Sequence, residues 1–300
     1  MHRVAFLGLG AIGTPMASHL AGPGFDLVVW NRTALRAAEF TAAHPAARQA
    51  SSPAEAARDR DVVITCLPVS ADVESLLDGP EGLLATLPAG AVLVDCTSGD
   101  PLTSRRMAAR LADRGVGFID APVSGGVSGA ERGELTVMAG GESWALEKVR
   151  PVLERFGKRI VHCGAVGAGD AVKAVNNALL AVQIWSTAEG LAALEKAGVR
   201  SELALEVINS SSGQSNASRN LFPERVLTRA FPRTFRLALL DKDVGIAADI
   251  ARNEKSVAPL LQLSSELYRM AHRELGEDAD HVEAVKVVER MSDAVIGSAQ

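Results

Sequence analysis

The helical pattern in Gly164-Ala-Val-Gly-Ala-Gly-Asp-Ala-Val-Lys-Ala-Val-Asn-Asn177 carries one lysine, Lys173, and two asparagines, Asn176 and Asn177. Spacings of three and four put such residues on one helix face. A lysine there can work as an acid or a base if burial lowers its pKa. Even fully charged, it can polarise a carbonyl. Asn177, one turn along, could hold the lysine or a substrate hydroxyl. The alternative for Lys173 alone is a lysine whose stem lies along an apolar helix with its head in water.

A second constellation is Gly8-Leu-Gly-Ala-Ile-Gly13. It fits G-x-G-x-x-G between an apolar run, Val4 to Leu9, and a helical pattern at Ile12, Met16 and Leu20. Gly8 permits a tight turn, Gly10 lets backbone approach a pyrophosphate, and Gly13 lets helix pack on strand. The loop residues Ala11 and Ile12 lead into a helix start whose N–H groups suit an anion. The flanking strand and helix lift this above a generic glycine turn.

The next strand, Phe25 to Asn31, ends where a dinucleotide fold reads its ribose. An acid there would bind the 2′-hydroxyl of NAD. This chain has Asn31, Arg32 and Thr33. With no carboxylate to repel it and Arg32 at hand, a 2′-phosphate is accommodated, so NADP is expected ahead of NAD. The alternative is a solvated Arg32 with Thr33 capping the following helix.

Further buried strands are read at Asp61–Leu67, Ala91–Cys96 and Gly115–Ala121, with edge strands at Leu135–Ala139 and Arg159–Cys163. Ligands of open parallel sheets lie beyond the strands' carboxyl ends, which singles out Leu67, Pro68, Thr97 and Ser98. A glycine- and serine-rich loop from Pro122 to Ala130 offers Ser124, Gly125 and Gly126 to a substrate carboxylate. Ser52, Pro53 and Glu55 read as a helix start with a capping box.

After Gly164 no segment reads as a strand. A long helix is expected from about 167 to 197, then helices near 201–209, 216–228, 235–252, 257–275 and 280–297. Lys242 interrupts an apolar helix there, as part of a solvated face or as a reach toward a cofactor. The fold class is therefore α/β, with a dinucleotide-binding domain over 1–163 and an all-helical domain over 164–300, joined by the long helix.

The 300 residues suit about two domains. A net charge of −5 and a pI near 5.7 argue against nucleic acid as partner. Cys66, Cys96 and Cys163 are isolated, with neither metal nor redox spacing, and read as free thiols in a reducing compartment. No metal is expected. With no signal-peptide pattern and no apolar run of membrane-spanning length, a cytoplasmic protein without membrane partners is expected.

The motifs together resemble the β-hydroxyacid dehydrogenase family, over essentially the whole chain. Four blocks match in order: Gly8–Gly13, Asp120-Ala-Pro-Val-Ser-Gly-Gly126, the Gly164–Asn177 stretch, and Lys242-Asp243. The resemblance implies a Rossmann domain followed by a helical domain like the C-terminal part of 6-phosphogluconate dehydrogenase. It implies Lys173 as catalytic lysine and Ser124, Gly125, Gly126 and Asn177 as substrate-binding. Leu67, Pro68, Ser98 and Lys242 become cofactor contacts, and Asn31-Arg32-Thr33 is similar to NADP-using members. A dimer or tetramer is implied as well. Ile12 replaces the methionine common in the first motif, a volume-conserving change. The segment Ser210–Asn216 falls where members differ. The implied activity is hydride transfer between NADP(H) or NAD(H) and a small 3-hydroxy acid or its semialdehyde. Glyoxylate and succinic-semialdehyde reductases are close alternatives. Imine reductases generally lack the lysine, and a non-catalytic dinucleotide-binding module would not need it.

Overall fold

A computed structural model of the chain describes residues 1–297. It divides into two compact units, Met1–Lys173 and Ala174–Gln300.

The first unit alternates strands and helices: β1 (His2–Leu7), α1 (Gly13–Ser18), β2 (Phe25–Trp30), α2 (Ala34–Ala43), β3 (Arg48–Gln49), α3 (Pro53–Ala57), β4 (Val62–Thr65), α4 (Ser70–Ser75), β5 (Val92–Asp95), α5 (Pro101–Ala112) and β6 (Gly117–Asp120). Then come β7 (Val123–Ser124), α6 (Gly126–Glu131), β8 (Leu135–Gly141), α7 (Ser143–Leu153) and β9 (Gly157–Gly164). Among the described residues the strands form one sheet in the order β3-β2-β1-β4-β5-β6-β8-β7, with β9 on β8. The pairs from β3 to β6 are all parallel. Parallel strands need crossover helices, so both faces of the sheet are covered and the strands are apolar on both. Successive residues point to opposite faces. Val4, Phe6, Ile64 and Val94 accordingly enter one core. Ala5, Leu7, Val63 and Leu93 enter the other.

Two details depart from expectation. Leu135–Gly141 is not an edge strand: it lies between β6 and β7, antiparallel to both, and also pairs in parallel with β9. Its nearly uninterrupted burial is the reason. Ser52 caps α3 by accepting the Glu55 N–H at 3.1 Å, but Glu55 reaches back to the N–H of Ser51, at 2.7 Å, and not to that of Ser52. The capping box is offset by one residue.

Helix α8 (Ala168–Lys196) runs from the first unit into the second. The division falls inside it, later than the boundary read at 163/164. Its first turn is tied to the strand ends of the first unit, as described below. The second unit continues with α9 (Ser201–Asn209), a wide helical segment at Ala217–Val226, α10 (Leu237–Asn253), α11 (Pro259–Leu275) and α12 (Ala284–Ser292). Trp185 and Tyr268 pack with ring centroids 5.7 Å apart in its core, and the Tyr268 hydroxyl donates to the Ala181 carbonyl at 3.1 Å. The helix read over 280–297 is shorter. Asp280 begins it with a true capping box, its Oδ1 accepting from Val282 N–H while Glu283 accepts from Asp280 N–H. Asp293, at φ +48°, ends it in the left-handed region. Among the described residues no helix is long and apolar enough to cross a membrane.

Candidate active site

The sheet order reverses between β1 and β4, the switch point at which doubly wound sheets bind ligands. Three loops leave strand ends there: Gly8–Ile12, Cys66–Val69 and Cys96–Asp100. Gly8 has φ +106°, and a Cβ on it would come within 2.3 Å of the Cys66 carbonyl. A Cβ on Gly13 would come within 2.0 Å of the Gly8 carbonyl. Both positions need glycine because backbone meets backbone. At Gly10 a Cβ would meet nothing within 4 Å, so bare backbone faces open space. This loop fits a dinucleotide pyrophosphate, with Ala11 exposed and Ile12 half-buried beside it.

Asn31 latches the loop. Its Oδ1 accepts the Leu9 N–H at 2.9 Å, and its Nδ2 donates to the Thr33 carbonyl at 3.0 Å. Thr33 stands at the cap of α2 without a side-chain hydrogen bond. The Arg32 side chain is 85% exposed, with Asp72 Oδ1 at 3.7 Å. Arg36, which sequence reasoning did not single out, reaches the Leu9 carbonyl at 3.5 Å. It lines a groove with Gly10, Ala11, Thr14 and His44. Its signal was visible: a second arginine one helical turn beyond Arg32.

The Leu67 N–H donates to Thr97 Oγ1 at 3.1 Å, tying the loops after β4 and β5 together. Pro68 is exposed and Ser98 half-buried beside them. Burial pushes the Cys66 thiol up to about 12 and raises the Cys96 and Cys163 thiols as well, so all three stay protonated at neutral pH. Pro122–Ala130 is more ordered than a loop. Ser124 pairs with Thr136 as β7, and α6 buries Gly129 and Ala130 while Gly125 and Gly126 remain exposed. Two residues of strand suffice to fix the Ser124 backbone.

Three buried carboxyl groups missed by sequence reasoning surround the root of α8. Asp95 ends β5, where burial pushes its carboxyl up to about 6. Asp120 ends β6; its Oδ1 accepts the Gly167 N–H at 2.8 Å and its Oδ2 the Asp170 N–H at 3.0 Å. Burial raises it, against the pull of those amides. Asp170 Oδ1 accepts the Gly99 N–H at 3.1 Å, and its Oδ2 lies 2.6 Å from Ser104 Oγ. Burial first, then Asp120 and Asp95, hold it well above the carboxylate range. An aspartate closing an apolar strand, twice over, was the readable signal. Lys173 follows on the same helix and is only 8% exposed.

In the second unit Asn177 is buried, whereas Asn176 is exposed. The shared face therefore belongs to Lys173 and Asn177, four residues apart. The Asn176 amide donates to Asn177 Oδ1 at 3.1 Å. Asn177 Nδ2 donates to buried Asp243 Oδ2 at 2.6 Å, and Lys242 Nζ meets Asp243 Oδ1 at 2.9 Å. Asp243 thus orients both residues that the motifs singled out in this unit.

Residues 3–164 match the family described as the NAD binding domain of 6-phosphogluconate dehydrogenase. Residues 167–288 match the family described as NAD-binding of NADP-dependent 3-hydroxyisobutyrate dehydrogenase. The chain is similar to 2-(hydroxymethyl)glutarate dehydrogenase of Eubacterium barkeri, at 35% identity over 99% of this chain and 98% of the relative. It is 37% identical to NAD-dependent L-serine dehydrogenase of Pseudomonas aeruginosa, over 90% and 92% of the two chains. The solved structure of Mycobacterium tuberculosis 3-hydroxyisobutyrate dehydrogenase with L-serine superposes with a TM-score of 0.87 at 33% identity, covering 96% of this chain and 99% of the other. The chain belongs to the β-hydroxyacid dehydrogenase family, NAD(P)-dependent oxidoreductases that act on CH–OH groups.

Proposed function

We propose that the protein transfers hydride between NADP(H) and a small 3-hydroxy acid or its semialdehyde, as a 3-hydroxyisobutyrate dehydrogenase or 2-hydroxy-3-oxopropionate reductase does, with Lys173 moving the proton. One observation carries this reading. Buried Lys173 lies close to the start of a helix whose first turn is hydrogen-bonded to the carboxyl end of β6, in the unit that bears the glycine loop.

The bound nicotinamide supplies hydride chemistry. The chain's residues do the rest. In the oxidation direction the Lys173 amine takes the hydroxyl proton as the C–H bond breaks; in reduction its ammonium returns the proton to the carbonyl oxygen. Ser124 and the N–H groups of Gly125 and Gly126 bind the substrate carboxylate, and Asn177 holds the lysine or the substrate hydroxyl. Gly8, Gly10, Ala11, Ile12 and Gly13 receive the pyrophosphate. Leu67, Pro68 and Ser98 border the nicotinamide ribose, and Lys242 contributes to cofactor binding. Asn31, exposed Arg32 and Thr33 favour a 2′-phosphate, because no carboxylate follows β2 at these three positions and Asp72 restrains Arg32 only weakly.

The names of the relatives support a substrate class. 3-Hydroxyisobutyrate, L-serine and 2-(hydroxymethyl)glutarate all carry HO–CH2–CH(R)–COO⁻, differing in R. Oxidation of that primary alcohol yields an aldehyde beside a carboxylate-bearing carbon. The same reading takes the protein as a homodimer or homotetramer working in the cytoplasm.

A screen of such hydroxy acids and their semialdehydes against NADP(H) and NAD(H) tests it. Turnover of at least one compound of this class is expected, with kcat/KM higher for NADP(H). Turnover confined to glyoxylate or succinic semialdehyde would favour that alternative. No hydride transfer with either cofactor would contradict the reading.

A further inference from the structure

We propose that Cys66 and Cys96 form a two-thiol site for one soft divalent cation that takes two sulfur ligands in line, and that filling this site weakens cofactor binding through the adjoining glycine loop. The effect on the cofactor rests on the pyrophosphate lying at that loop; the binding of the ion does not.

The two cysteines are far apart in the chain, and the sheet makes them neighbours. The parallel register of β4 and β5 ends on Thr65 opposite Asp95, and Cys66 and Cys96 are the next residue of each strand. The Cys96 N–H donates to the Thr65 carbonyl at 2.7 Å and the Cys66 N–H to the Leu7 carbonyl at 2.9 Å, so the backbone keeps its course as far as both cysteines. Successive side chains take opposite faces. The Thr65 hydroxyl meets Asp95 Oδ1 at 2.9 Å on one face. Ile64 and Val94 share a core on the other; Cys96 belongs to that core and Cys66 packs against it. Both thiols therefore stand on one face at adjacent strand ends. Cys163 is on β9, beyond β6 and β8 in the sheet, and takes no part.

The surroundings select the ion. Among the described residues no three His, Cys, Asp or Glu side chains come together to hold a metal, so an ion needing four ligands finds too few. Thiols favour soft ions. Two metal–sulfur bonds of about 2.3 Å placed in line span about 4.6 Å. Neighbouring strands lie about 4.8 Å apart, which suits that span. A divalent ion M2+ forms two M–S bonds, both S–H bonds break, and two protons leave to solvent. The product is neutral, as a site within an apolar core and close to Asp95 requires.

Cys66 is also where the glycine loop rests. A Cβ on Gly8 would come within 2.3 Å of the Cys66 carbonyl and 2.8 Å of the Leu67 side chain. Backbone meets backbone there, so Cys66 cannot shift toward β1 without moving Gly8. An ion that fixes both sulfurs acts on the loop through this contact.

Hg2+, added as the chloride at one equivalent to the Cys163→Ser chain, is the probe. Native mass spectrometry should show one ion bound with two protons lost. Cys66→Ala and Cys96→Ala, each on the Cys163→Ser background, should hold the ion about a hundredfold more weakly in competition with 2-mercaptoethanol. Should these variants not fold, the unaltered chain decides: proteolytic fragments containing Cys66 and Cys96 should stay joined through the ion. Affinity for NADP(H) should fall about tenfold or more on filling and recover when a small dithiol withdraws the ion. Zn2+ at the same concentration should leave that affinity unchanged. An adduct that has lost one proton, a single-cysteine variant that binds as tightly as the two-thiol chain, or fragments that separate would overturn the site. Unchanged cofactor affinity in the filled protein would overturn its link to the glycine loop.

Discussion

Asp95 shows how burial acts at the scale of one residue. Its Oδ1 accepts both the Thr65 hydroxyl, at 2.9 Å, and the Thr97 N–H, at 3.0 Å. Burial nevertheless dominates and lifts the carboxyl from 3.8 to about 6. A raised folded pKa means that, between those values, the folded protein holds a proton the unfolded chain has released. Stability therefore falls as pH rises from about 4 through about 6, by about 3 kcal/mol in full. Asp95→Asn keeps the acceptor that both donors use and removes the charge. Its stability relative to the parent should rise by up to about 3 kcal/mol between pH 4 and pH 8, as thermal or denaturant unfolding at each pH would report. A difference that stays constant over that range would contradict the assignment.

At the scale of elements, α8 is the informative case. Its N-terminal turn is fastened by Asp120 and Asp170, and further along Ala181, Ile184, Trp185 and Ala188 build the core of the second unit. Gly190 sits within this helix, exposed, and a Cβ on it would meet nothing within 4 Å. Glycine in a helix interior costs roughly 0.5–1 kcal/mol relative to alanine. Gly190→Ala should therefore raise stability by about that amount with unchanged turnover, visible as a higher unfolding midpoint in denaturant. A lower midpoint would show that the space beside Gly190 is needed.

At the scale of the whole molecule, the parallel strands, the glycine loop and the helices α8 to α11 were legible because apolar periodicity and glycine punctuation are local signals. The match of Lys173 with Asn177 was legible for the same reason, since helix spacing alone puts them on one face. What escaped was long-range pairing. The insertion of β8 between β6 and β7 depends on partners far apart in the chain, and two-residue strands such as β7 carry no periodicity. Asp95 and Asp120 stand at the ends of strands and Asp170 in the first turn of a helix, where sequence alone does not show that the fold removes water from them. Asn176 misled because two asparagines in succession look equivalent, although only Asn177 faces inward.

The central claim concerns one amine. The most direct measurement is kcat of Lys173→Ala at saturating cofactor and substrate, with cofactor affinity measured alongside. Loss of a positioned proton donor should lower kcat by about 10²–10⁴-fold with cofactor affinity nearly unchanged. A variant retaining kcat within a few-fold of the parent would contradict the account.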